Sequence, residues 1–415
     1  MLKLLRFLKK RLFLPLIAIG FLIMAFIVDS PKNIFTGYLK IIQSPSILIT
    51  DYIYVGGLGA TLFNVSTILT LNIVMVYFLK LRVSGPIFAG LMTIAGFSFF
   101  GKNILNTLPI YLGIYLYSLK NHTKFKNSII VVLFSTGISP IVSYLIFGIN
   151  LELYLSIPLG IVVGCVIGFI LPSIASNTIK IHGGYNLFNV GFALGIISLV
   201  ATSIIKAFDV PVELAYLVSK NEHYTLLFML LGISTLFICA AVIDDIKEIK
   251  KYPNILKRTG RLITDFIRDN GIDATLFNCG IVGLICFIVI AVTGIEMNGP
   301  VIGVCFTVIG FAAYGIHARN AIPVMIGAVV TCLLMGLDFS NPSVAMCVIL
   351  VTGLAPISGN YGCIVGFVIG MIHVSLATNP YVCLLQGGFD LYNNGFVAGF
   401  VAALAIPVLE MFKEE

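Results

Sequence analysis

The chain has 415 residues, of which 59% are hydrophobic and 10% charged, with a formal net charge of +7 and a mean hydropathy of +1.07. Soluble domains run nearer 45–50% apolar and about 25% charged, so a water-soluble globule is excluded. The basic excess lies in short loops between apolar runs, which excludes a nucleic-acid face and marks topology instead.

In chain order, a basic N-terminus, MLKLLRFLKKR, leads into the first apolar run at 12–28. Further runs fall at 58–79, 85–100, 105–118, 128–148, 152–175 and 187–207, then at 225–243, 274–294, 299–316, 320–336, 342–358, 360–377 and 390–409. Fourteen segments of about 20 residues use about 280 residues, leaving too little for a second, soluble domain. No small-residue cleavage site follows the first run, only DSPKN, so it reads as a retained helix rather than a signal peptide. Two stretches, 33–53 and 246–268, carry apolar and charged faces and read as interfacial helices or solvated connectors.

The order of motifs shows that the chain is written twice. Ala60-Thr-Leu-Phe-Asn64 recurs as Ala274-Thr-Leu-Phe-Asn278, Leu48-Ile49-Thr50-Asp51 as Leu262-Ile263-Thr264-Asp265, and Gly85-Pro86 as Gly299-Pro300, all 214 residues apart. Gly96-Phe97 and Gly310-Phe311, Asn106 and Asn320, Pro109 and Pro323 keep the same offset. Thr136-Gly-Ile-Ser-Pro140 matches Thr352-Gly-Leu-Ala-Pro356, and Gly183-Gly-Tyr-Asn-Leu-Phe-Asn-Val-Gly-Phe192 matches Gly387-Gly-Phe-Asp-Leu-Tyr-Asn-Asn-Gly-Phe396. The expected fold is an all-α polytopic membrane protein of two repeats, 1–214 and 215–415, with a cytoplasmic amphipathic linker at 244–273 in the second.

Seven segments per copy is odd, so the second copy is expected to enter the membrane inverted. With the N-terminus inside, 20 of the 25 basic residues fall on the inner side, Lys413 among them. Five (Lys32, Lys40, Lys102, Lys206 and Lys220) fall outside, as the positive-inside rule requires. The location this implies is a bacterial inner membrane with both termini cytoplasmic.

Inverted repeats place substrate sites near the bilayer midplane, where broken helices free backbone groups. The breaks are expected at Gly137 and Pro140, at Gly353 and Pro356, and at the Gly183-Gly184 and Gly387-Gly388 turns that open the last segment of each half. Proline removes a backbone donor and glycine permits the turn. The candidate pathway residues are Asn64, Asn278, Thr136, Thr352, Asn186, Phe188, Asn189, Asp390, Tyr392 and Asn393. Asparagine offers both donor and acceptor to a small polar or amide-bearing solute; helix–helix bonding and N-capping are the structural alternatives for the same residues. Asp390 stands where the first copy has Asn186, and an acid at that depth fits a proton or cation site.

The nine cysteines form no CxxC pair and eight lie inside apolar runs, so disulfides, metal and cofactor are not expected. No GxxxxGK[ST], HExxH or nucleophile elbow occurs, and no enzyme is expected. The paired ATLFN and GG[YF][ND]L[FY]NxGF motifs resemble an uncharacterised bacterial membrane-protein family of about 400 residues. More weakly, Gly184-Tyr185-Asn186 with Gly191, and Gly388-Phe389-Asp390 with Gly395, resemble the turns of urea transporters. That resemblance implies a narrow central pathway with aromatic and amide lining in a homo-oligomer. The partners expected are therefore the lipid bilayer, a small polar solute and further copies of the chain, with a membrane scaffold or sensor subunit as the competing class.

Overall fold

The computed structural model describes residues 2–244 and 249–412; Lys413 and four residues of the 244–273 linker lie outside them. The first half comprises α1 (Leu2–Val28), α2 (Pro31–Gln43), α3 (Tyr52–Gly56), α4 (Leu58–Phe78), α5 (Gly85–Phe97), α6 (Ile104–Lys120), α7 (Ile129–Ser135), α8 (Pro140–Phe147), α9 (Leu153–Ile181) and α10 (Asn189–Ala207). The second comprises α11 (His223–Asp244), α12 (Tyr252–Leu256), α13 (Phe266–Asn270), α14 (Ile272–Thr293), α15 (Gly299–Phe311), α16 (Ala318–Leu334) and α17 (Pro342–Leu350), then α18 (Ala355–Tyr361), α19 (Cys363–Ala377), α20 (Pro380–Leu385) and α21 (Asn393–Met411). Among the described residues the only β pairing is two isolated bridges.

All fourteen apolar runs coincide with helices, but not with fourteen full-length spans. Among the described residues, seven helices are long and apolar enough to cross a bilayer. Two further candidates are bent pairs, α1 with α2 at 116° and the 125–138 segment with α8 at 43°. The first bend follows from Asp29-Ser30-Pro31: Ser30 Oγ accepts from Asn33 N, and Pro31 takes the first helical position, where a missing N–H costs nothing. The expected helix at 33–53 is therefore shorter. It ends at Gln43, buries Ile34, Gly37 and Ile41, and gives way to non-helical chain through Thr50.

Two short, wholly buried apolar helices occupy the centre. α5 and α15 have 13 residues each, all buried, and rise about 20 Å where a bilayer's hydrocarbon is about 30 Å thick. They run antiparallel and almost touch, because the Gly96 and Gly303 positions carry no side chain between the two backbones. Each starts at a Gly-Pro pair whose first amide is capped by an aspartate of the other half. Gly85 N donates to Asp265 Oδ1 at 2.9 Å and Gly299 N to Asp51 Oδ2 at 3.1 Å. The far end of α5 returns to Asp51, where Tyr52 N donates to Phe99 O at 3.0 Å, and Phe266 N donates to Ala313 O at 3.2 Å in the matching place. The molecule thus has an Asp51 end and an Asp265 end, with α5 and α15 strung between them.

Candidate functional site

The motifs singled out in the sequence meet at this centre. The Gly183-Gly184 turn sits at the Asp265 end, where Leu262 N donates to Gly184 O at 3.0 Å, and the Gly387-Gly388 turn sits at the Asp51 end, where Leu48 N donates to Gly388 O at 3.0 Å. All four glycines have φ between 58° and 81°, a left-handed conformation that disfavours a side chain. From these turns the chain runs inward, and α10 and α21 cross close to their first turns. Gly191 abuts Tyr392, and Gly395 abuts Phe188. The helix breaks receive the same segments: Leu391 N donates to Gly137 O at 2.8 Å, and Leu187 N to Gly353 O at 2.9 Å. Both breaks are 3-10 turns, Thr136–Ile138 and Val351–Leu354. Only the first is sharply bent; in the second half Pro342–Tyr361 continues as one span of 20 residues.

At the crossing lies an aromatic cluster built twice. Phe188 and Tyr392, equivalent by the repeat, have ring centroids 6.1 Å apart. Phe97 packs on Tyr392 at 4.5 Å, and its equivalent Phe311 packs on Phe188 at 4.8 Å. On either side of the cluster is a cavity. The one toward the Asp51 end has about 340 Å³ and is walled by Leu48, Tyr216, Asn341, Ser343, Asn393 and Asn394, among others. The one toward the Asp265 end has about 60 Å³, reaches Phe188 and Tyr392, and is walled by the equivalents Leu262, Asn189 and Val190.

The two cavities differ in whether their amides are satisfied. In the smaller, Asn189 is fully engaged: Oδ1 meets His182 Nε2 at 2.8 Å and accepts from Thr178 Oγ1 at 2.9 Å, while Nδ2 donates to Ala175 O at 2.9 Å. The larger is walled by the equivalent Asn393, and Gln386 stands in sequence where the first half has His182. Asn393 Oδ1 and both polar side-chain atoms of Gln386 are buried without a hydrogen-bond partner. Beside them Asn394 Oδ1 meets His373 Nε2 at 3.2 Å.

The remaining candidates have structural partners. Asn64 Nδ2 donates to Ser98 O and Lys102 O at 2.8 Å each, and Asn278 Nδ2 to Ala312 O and Ile316 O at 2.7 and 2.8 Å. They clamp the turns after α5 and α15, and neither lines the two cavities. Asn186 ties the halves together, accepting from Phe188 N and donating to Gly395 O at 2.9 Å. Thr352 Oγ1 donates to Ile349 O at 2.9 Å within its own helix, whereas Thr136 Oγ1, in the matching place, has no hydrogen-bond partner. Asp390 Oδ1 accepts from Tyr392 N at 2.9 Å, while its Oδ2 is buried and unpartnered.

Three charged residues of the centre were not singled out as site candidates. Lys102, read as an exterior topology label, is fully buried, with Nζ 5.1 Å from the Phe97 ring centroid and no hydrogen-bond partner. A basic residue directly after Gly101, where the second copy has Ile316, was the available signal. Asp51 and Asp265 were visible only as repeated letters; their meaning depends on Gly-Pro pairs of the opposite half. Burial pushes Asp51 up to about 6, while the amides of Ser219, Ile53 and Gly299 pull the other way.

A bundle of long apolar helices around short, buried ones, with breaks facing inward, defines a multi-span helical membrane protein. The chain matches the family model described as a protein of unknown function (DUF1576) over residues 30–207 and 245–411, and belongs to that family. No curated protein and no solved structure matches it.

Proposed function

We propose that the chain moves a small, uncharged polar solute across a membrane along the interface of its two halves, which act as inverted repeats. The observation that carries this reading is the pair of repeat-related cavities on opposite sides of the Phe188–Tyr392 contact. The larger has several amides and hydroxyls set in a mainly apolar wall and no Lys, Arg, Asp or Glu, which favours a neutral, hydrogen-bonding solute such as a urea-like amide. In this reading the cavities are the two sides of one pathway, wide toward Asp51 and narrow toward Asp265. On the same reading the Asp265 end and both termini face the cytoplasm of a bacterial cell, which the basic loops support, and the apolar outer faces of α9 and α10 would meet further copies in a homo-oligomer. The test is stopped-flow light scattering of proteoliposomes given osmotic gradients of urea, acetamide and glycerol. Recovery faster than in protein-free vesicles for at least one solute is expected. No acceleration for any uncharged solute would favour a scaffold or sensor subunit.

A second reading, coupling to a proton or cation, rests on the buried, unpartnered Oδ2 of Asp390. It requires that Asp390→Asn abolish pH- or sodium-dependent uptake. Flux unchanged in that variant favours a channel.

A further inference from the structure

The two Leu-Ile-Thr-Asp loops share a sequence but not a setting. At the Asp51 end the segment joining the halves lies along the loop as a short parallel strand. Ile49 N donates to Ala215 O at 2.5 Å, Ala215 N to Leu48 O at 3.2 Å, Leu217 N to Ile49 O at 2.9 Å and Asp51 N to Leu217 O at 2.8 Å. Ser219 N completes the seal on Asp51 Oδ2 at 3.1 Å. At the Asp265 end the loop keeps its bond to the glycine turn, but no described residue pairs with it as 215–219 pair with the Asp51 loop. The amides of Ile263 and Asp265 and the carbonyls of Leu262 and Ile263 have no hydrogen-bond partner among the described residues. The side chains register the difference: Ile49 is 6% exposed and Ile263 is 73% exposed.

An unpaired backbone edge beside an exposed isoleucine is a template for strand addition. We propose that the 262–265 edge binds an extended peptide strand of a partner protein, in the pose that residues 213–219 hold at the other end. That internal strand supplies the specification. Its sequence, Glu213-Leu-Ala-Tyr-Leu-Val-Ser219, is apolar with an acidic lead, and the same segment at the other end carries Arg261, whose Nε donates to Gly183 O, with Arg258 and Arg268, which share the one carboxylate of Asp269 and so leave a positive excess. The strand therefore carries an acidic residue ahead of its apolar run. Because Leu262 also walls the smaller cavity, a docked strand covers the mouth of that cavity, as Tyr216 helps wall the larger one. The inference rests on the loop contacts and not on the transport reading.

The test uses a fluorescein-labelled peptide of residues 209–221 titrated onto the full chain in nanodiscs. Anisotropy reads binding, and hydrogen exchange reads residues 259–266. Saturable binding is expected, with slowed exchange in that segment. Ile263→Pro, which removes one amide donor, and Ile263→Glu, which keeps the donor but repels the acidic peptide, are each expected to weaken binding at least tenfold. Position 263 is exposed, so Ile263→Glu tests the edge even where the proline variant fails to fold. The proposal is overturned by absence of saturable binding, by equal binding of a scrambled peptide, or by binding that Ile263→Glu leaves unchanged.

Discussion

Replacing Gly96 with alanine adds one methyl group at the closest approach of the two halves. An ideal Cβ there stands 2.9 Å from the carbonyl carbon of Gly303 and closer still to its oxygen, whereas ordinary contact begins at 3.4 Å. The obstacle is backbone, so no side chain can swing away, and the nearby carbonyl oxygen forces α5 and α15 to part by about an ångström. Both helices are buried at every position, so the displacement spreads into the surrounding core. Overpacking of this kind costs about 1–3 kcal/mol, set against a gain of up to about 1 kcal/mol from alanine's higher helix propensity. Gly20→Ala is the control, since nothing lies within 4 Å of a Cβ at that position and only the propensity gain applies. The chain has no tryptophan, so unfolding is followed with a thiol-reactive dye that reports exposure of buried cysteines such as Cys279, Cys286 and Cys305. A lowered apparent Tm for Gly96→Ala, with an unchanged or raised one for Gly20→Ala, is expected. Equal melting of the two variants would refute the close packing of the halves.

The cross-half caps give a graded pair. Asp51 accepts from three amides (Ile53, Ser219 and Gly299) and Asp265 from two (Gly85 and Arg268), so Asp51→Ala should lower stability by about 2–4 kcal/mol and Asp265→Ala by less, read by the same dye. His317 is held down to about 4, chiefly by burial; as a neutral imidazole its Nε2 donates to Arg258 O at 2.8 Å, and protonation would put a second donor on Nδ1, which has no partner. A depressed histidine contributes stability above its unfolded value near 6.5 that is lost as pH falls toward 4, so His317→Asn should flatten the Tm-versus-pH curve across that interval. In the proteoliposome assay, Phe188→Ala and Tyr392→Ala remove the rings between the cavities and should raise passive solute flux at least several-fold; flux at or below wild type would place the pathway elsewhere.

Much of this was legible in the letters because duplication makes each motif a control for its twin. TG[IL][SA]P and GG[YF][ND] marked the breaks and turns that reach the centre, the Gly-Pro pairs marked the starts of α5 and α15, and hydropathy located all fourteen apolar runs. Length was misjudged at 85–100 and 299–316, because periodicity cannot tell a buried 13-residue helix from the start of a span. Function-bearing detail was less visible still. The Asn64 and Asn278 amides read as pathway groups, yet each bonds carbonyls 34 and 38 residues ahead, distances that no local pattern encodes. Asn189 and Asn393 looked alike, and they differ because Asn189 bonds His182 while Asn393 Oδ1, where the second half has Gln386 in place of that histidine, has no partner. Lys102 was read from its charge and its loop position, whereas the fold closes that loop over it.

The most direct test is sided labelling of the two cavities. Cys239, Cys347, Cys363 and Cys383 are replaced by serine, and Asn393→Cys and Leu262→Cys are introduced separately in sealed, oriented vesicles treated with a membrane-impermeant thiol reagent. Reaction of the two positions from opposite faces, with Leu262→Cys reached only from the cytoplasmic side, is the expected result. Reaction of both from the same face would contradict a pathway built from inverted halves.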